Sequence, residues 1–117
     1  MLVLIKDGVK FNFILSINDA GAFGAIDAMV EAGIDPSAVT IVSVDAEALA
    51  RDYIRKGYFI RGSVESSRVQ LAEAMMNVTV KLLVGDTIQE TIIVPPKQIV
   101  TKETLEQEIT ATPTPSP

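Results

Sequence analysis

The sequence predicts an α/β chain: a three-layer, mostly parallel sheet flanked by helices. Short apolar, β-prone runs recur at residues 11–17 (FNFILSI), 39–44 (VTIVSV) and 59–64 (FIRGSV). Each is followed by a segment with apolar residues at helical spacing. The runs are apolar enough to be buried on both faces, as strands are when helical crossovers cover a parallel sheet.

Taken in order, residues 1–10 read as the end of a helix already under way. The first strand stops at Asn18-Asp19, and Phe23, Ile26, Met29 and Val30 then mark a helix with Gly33 just past its end. The second strand closes at Asp45, and Leu49, Ala50, Tyr53 and Ile54 mark a helix ending at Gly57. The third strand is weaker. Ser67 then caps a long helix, with Gln70 completing a capping box, and this helix runs to Leu83 or Val84 before Gly85. Beyond it, Thr91–Val94 and Gln98–Thr101 read as extended segments separated by Pro95-Pro96, which cannot continue a central strand. The expected organisation is a domain over 1–105 and a disordered Pro/Thr-rich tail over 106–117, which ends in ATPTPSP.

The long helix carries Leu71, Ala72, Ala74, Met75, Met76, Val78, Val80, Leu82, Leu83 and Val84 on more than one face. A surface helix needs an apolar stripe of only about 100°. The plainer expectation is a helix packed deeply in its own domain. The sharper one is a helix that meets something outside this chain or a second copy of it.

The chain has 117 residues, enough for one domain, and 48% of them are hydrophobic. His and Cys are absent, which excludes His-based acid–base chemistry, thiol nucleophiles, disulfides and the usual zinc sites. A net charge of −5 without a Lys/Arg cluster disfavours nucleic acid as a partner. Lys6, Asp7 and Lys10 interrupt the apolar N-terminus, so neither a signal peptide nor a membrane span is expected, and the chain reads as soluble.

Ligands of open parallel sheets bind beyond the carboxyl ends of the strands. That rule selects Asn18 and Asp19 after the first strand, Asp45 after the second, and Glu65 and Ser66 after the third. Asn18, Asp19 and Asp45 also have a plain reading as helix N-caps. Glu65 is less easily explained, because Ser67 already supplies the cap. Converging acceptors with an amide donor suit a polyol. Gly21 and Gly24 give G-x-x-G rather than a nucleotide fingerprint, and are expected to permit close helix–sheet packing instead. No calcium loop occurs, and nothing near Asp45 and Glu65 marks them as a tuned glycosidase pair. No metal, cofactor or catalytic residue is expected.

Three segments together resemble the type I periplasmic-binding-protein family, specifically the C-terminal lobe of its ribose-type members: ILSINDAGAFGAIDAMVEAG, IVSVDAEALARDYIRKGYFIRGSVESS and LLVGDTIQETIIVPPKQIVTKETL. The match covers about residues 1–105. The resemblance implies a sugar-recognition half-cleft, with Asn18 and Asp45 at ligand-contacting positions and Glu65 where ribose-type members usually have Gln. It implies no enzymatic activity, a partial C-terminal lobe that lacks its first strands and helices as well as the N-terminal lobe, and an ABC-transporter permease as partner of a periplasmic or extracellular full-length parent. Two departures are small: Ala46 stands where the family often has Gly, and Ser67 where it has a capping Pro. Glu65 is the larger one, since an ionised carboxylate cannot donate a hydrogen bond, and a different hydroxyl pattern or ligand follows. A chain with half a cleft is expected to bind sugar weakly or not at all. Two alternatives stand beside this reading. One is the effector lobe of a lactose-repressor-like transcription factor, disfavoured because YIRKGYFIRGSV and VTKETL follow the transport style. The other is a self-associating structural domain, and in either case exposed apolar surface predicts a homo-oligomer.

Overall fold

The computed structural model describes residues 1–111. The elements are α1 (Leu2–Lys6), β1 (Phe13–Leu15), α2 (Asp19–Glu31), β2 (Thr40–Val44), α3 (Ala48–Lys56), β3 (Ile60–Ser66), α4 (Arg68–Leu83), β4 (Pro96–Val100) and α5 (Lys102–Ala111). The four strands form one sheet in the order β1-β2-β3-β4. β1, β2 and β3 are parallel, and β4 runs antiparallel along the far edge of β3. The expected mostly parallel sheet flanked by helices is therefore present. Pro96 opens β4 at an edge, where its missing N–H costs no ladder bond.

Register decides which residues share a face. Ile14, Ile41, Ser43, Ser63 and Val100 lie on one face. There Ile41 and Val100 join Ala22, Ile26 and Met29 of α2, Ala50 and Ile54 of α3, and Leu105 of α5 in the buried core. The opposite face carries Phe13, Leu15 and Ile99, which are 54%, 76% and 62% exposed, so its cover is incomplete.

The helix boundaries follow local chemistry. Asn18 caps α2 by accepting the Gly21 N–H at 2.8 Å. α3 ends at Gly57 in the left-handed conformation (φ 64°), which costs a residue without Cβ nothing. Ser67 Oγ accepts the Gln70 N–H at 3.3 Å, as the capping motif predicts. Gly21 does allow close approach, since a Cβ there would stand 2.9 Å from Ser16 Oγ. Gly24 faces open space, so the packing role expected of it fails.

Two expectations are corrected. Residues 106–111, assigned above to a disordered tail, belong to α5. Thr101 and Thr104 exchange backbone-to-hydroxyl bonds at the start of that helix, and Leu105 anchors it at 1% exposure. The strong helix formers Glu106, Gln107 and Glu108 then continue it. The remaining tail, 112–117, lies outside the described residues. The second correction concerns α4, expected to be packed deeply in its own domain. None of its residues is buried; Met75 and Met76 are each 63% exposed and Leu83 is 82% exposed. The segment 87–94 follows one side of α4 through Ile88, Ile92 and Val94, but the rest of its apolar surface is open. The dimensions agree: the radius of gyration is 18.9 Å, against about 13 to 14 Å for a compact chain of this length.

Candidate functional site

The parallel strands β1, β2 and β3 bring Asn18, Asp45 and Glu65 to one rim of the sheet, as the connectivity requires. An open cleft of about 650 Å³ lies there, lined among others by Asp45, Glu47, Glu65, Ser66, Ser67, Arg68 and Lys97. Asp45 and Glu65 thus share a cavity. Asn18 does not line it.

The three differ in what their side chains do. Asn18 is exposed and spends Oδ1 on the α2 cap, so the plain reading holds for its oxygen, while its amide N–H groups have no acceptor among the described residues. Asp45 is half-buried, and its carboxylate has no hydrogen-bond or ion-pair partner among the described residues. The capping reading fails for Asp45, because Glu47 occupies the N-cap position of α3. Acceptors held at a cleft without a protein donor are what a hydroxyl-rich ligand would use.

Glu65 is held in a network. Its carboxylate accepts from Arg51 Nη2 at 2.8 Å, Gln98 Nε2 at 2.8 Å and Lys97 Nζ at 3.0 Å. Arg51 and Gln98 also bond Glu108 on α5, at 3.0 and 2.8 Å. Burial pushes the Glu65 carboxyl upward, but hydrogen bonds from Lys97 and Gln98 and the charges of Arg51 and Lys97 outweigh it. Its pKa therefore lies below the ordinary 4.5. Arg51, Lys97, Gln98 and Glu108 were not singled out by sequence reasoning. Nothing in one-dimensional spacing links residues 51, 65, 97 and 108; only the antiparallel return of β4 and the placement of α5 do.

Asp19 was weighed as a cap and has a different role. It is fully buried and accepts from Ser43 Oγ, from Ser63 Oγ at 2.9 Å and from the Glu47 N–H at 2.7 Å. The signal for this was present: SVD at residues 43–45 and SVE at 63–65 place a serine at the same inward register of adjacent strands. Next to it, Asp45 (φ 109°) and Ala46 (φ 52°) both take positive φ, at a cost of about 1 to 3 kcal/mol each. The left-handed angle at Ala46 is one that glycine adopts freely, which explains why Gly would suit that position.

Among the described residues no group of three or more His, Cys, Asp or Glu could hold a metal ion. No helix among them is long and apolar enough to cross a membrane.

Comparison with known proteins is structural. No family model matches the chain, and no curated protein matches its sequence. Among solved structures, the periplasmic binding protein of the arabinose ABC transporter from Shewanella sp. ANA-3, bound to L-arabinofuranose, is similar at TM-score 0.68 and 28% identity. That match covers 92% of this chain and 35% of the other. A 5-methylthioribose transporter solute-binding protein from Thermotoga lettingae, bound to 5-methylthioribose, is similar at TM-score 0.71 and 20% identity, covering 91% of this chain and 33% of that one. A Mycobacterium smegmatis protein in complex with β-D-fucofuranose is similar at TM-score 0.72 and 21% identity, covering 94% and 36%. The fold is similar to a single lobe of these proteins. The lobe spans about a third of the length of these proteins.

Proposed function

We propose that this lobe is the C-terminal half-cleft of a monosaccharide-binding protein that serves an ABC transporter. The observation that carries the reading is the unpartnered Asp45 carboxylate in the cleft at the strand carboxyl ends, with the exposed Asn18 at the end of the neighbouring parallel strand. In this reading Asp45 accepts hydrogen bonds from sugar hydroxyls, and Asn18 donates to a hydroxyl or ring oxygen. Glu65 contributes through its position at the rim, and its donors Lys97 and Arg51 stand within the same charged wall. The lobe has no catalytic role in this assignment.

The uncovered faces of α4 support a further part of the reading. They are where the N-terminal lobe of a full-length parent would pack, so 1–105 is one lobe of a two-lobed protein that is periplasmic or extracellular and docks on a permease. Buried sites enclose most of a small ligand's surface, and one open wall cannot. The lobe alone therefore keeps only millimolar sugar affinity. The same uncovered surface favours a second reading, a self-associating structural domain.

The test is an NMR titration of the chain with L-arabinose, ribose and allitol at high millimolar concentration. Saturable shifts confined to the amides of Asn18, Asp45 and Ala46 are expected for at least one of them. Absence of localised shifts with all three overturns the sugar reading. Micromolar affinity in calorimetry overturns the half-cleft.

A further inference from the structure

The turn that presents Asp45 has all its amide donors engaged. Asp45 N–H bonds the Val64 carbonyl at 2.9 Å, Ala46 N–H bonds Ser63 Oγ at 3.0 Å, and Glu47 N–H bonds Asp19 Oδ2 at 2.7 Å. Ser63 Oγ donates its own hydrogen bond to Asp19 Oδ1, so the Ala46 contact is relayed to the same carboxylate. Ser43 donates to that oxygen as well. One fully buried side chain at the start of α2 therefore holds a turn 26 to 28 residues away, directly at Glu47 and through Ser63 at Ala46. Nothing else on α2 reaches that turn by a side-chain hydrogen bond among the described residues.

The consequence concerns direction. Two successive positive φ angles, at Asp45 and Ala46, turn the chain sharply as it leaves β2. L-residues rarely adopt such angles unless the surroundings fix them. Released, the two residues would relax toward extended or right-handed helical angles, and the Asp45 carboxylate would swing away from the cleft. Asp19 does not line the cleft itself.

We propose that Asp19 is the positioning residue of the site: through Ser63 and the amides of Ala46 and Glu47 it locks the turn that aims Asp45 into the cleft. The functional value of this lock rests on the reading of Asp45 as a sugar contact; its structural content does not. An acceptor-only carboxylate suits the task, because all three of its neighbours are donors. Asparagine would offer one oxygen and turn an N–H₂ toward a donor.

The test uses the full chain and four variants: Asp19→Asn, Ser63→Ala, Ser63→Thr and the core control Ile54→Val. Backbone couplings that report φ at Asp45 and Ala46 are measured with amide exchange at Ala46, Glu47 and the β2 amide of Val42. In Asp19→Asn and Ser63→Ala, φ at Ala46 changes sign and exchange at Ala46 rises by about tenfold or more, while Val42 changes far less. Ser63→Thr restores the hydroxyl and the wild-type φ even if it lowers the unfolding midpoint. Ile54→Val lowers stability without moving the turn. Positive φ and unchanged protection in both Asp19→Asn and Ser63→Ala overturn the proposal. If Asp19→Asn fails to fold, the Ser63 pair decides it by the same readout. Sugar-induced shifts at Asp45 are recorded separately in the wild-type chain. Their absence counts against the sugar reading and leaves the result on the turn standing.

Discussion

Glu65 shows how a single residue can be found by sequence and still be misjudged in its surroundings. Its place at the end of β3 followed from counting strands, and its difference from the glutamine of ribose-type proteins was visible. Its three donors were not, because two of them arrive on β4 and one on α3. The Glu65 and Arg51 side chains are 18% and 19% exposed, so removing one leaves the other poorly solvated. Glu65→Ala is expected to destabilise the chain by about 1 to 3 kcal/mol, read from urea unfolding. The sign of the pH effect follows from the lowered pKa. The folded state holds the carboxylate more readily than the unfolded state, so its contribution is complete above the ordinary value of 4.5 and fades as pH falls through the lower folded value. Glu65→Gln should flatten the fall in stability below about pH 5. An identical acid limb in the variant would show that the network carries no such linkage. Asp45 is the opposite case, legible in the sequence because its position is a strand end, but with its strained backbone invisible to any pattern of residue types.

At the scale of elements, the strand–helix alternation was readable because periods of two and 3.6 residues differ strongly, and β1 to β3 with their helices fall where the apolar runs put them. Boundaries set by local capping were readable as well. Asn18→Ala removes the acceptor of the Gly21 N–H and should cost about 1 kcal/mol in thermal or urea unfolding. A loss near zero would mean that water replaces the cap. What sequence could not decide was whether an all-round apolar helix is enclosed or uncovered, since both have the same composition. α4 is uncovered, and isolated helices of its length are marginal in water. In dilute monomer its amides should exchange with little protection, whereas those of Ile41 and Val42 in β2 should exchange only on global opening. Equal protection in α4 and β2 would require a cover that the monomer does not provide. The end of α5 escaped for a related reason: the proline-rich composition of 112–117 coloured the reading of 106–111, although Glu106 and Glu108 are good helix formers.

For the whole molecule the governing fact is its shape, 57 × 51 × 17 Å, a slab rather than a sphere. A slab of this kind leaves apolar groups open, among them Leu15 and Ile99 on the outer sheet face and Met75, Met76 and Leu83 on α4. Contiguous apolar surface beyond a few hundred Å² seldom stays exposed in a monomer. A chain studied alone should therefore associate, with sedimentation coefficients that rise with concentration. Association through α4 predicts more than an average size. Substituting Met75 and Leu83 together by Lys puts two charges where a partner would sit, which should shift the weight-average mass toward the monomer. The folded core should survive, because neither side chain contributes to it. The same pair of changes tests what α4 is for. If dissociation leaves the amide shifts of Asp45 and Ala46 in place, the cleft and the association surface are separate regions of one lobe. The rim and α4 would then act independently, with α4 as an association surface apart from the cleft. A monomeric wild-type chain at high concentration would instead mean that α4 finds its cover within the molecule.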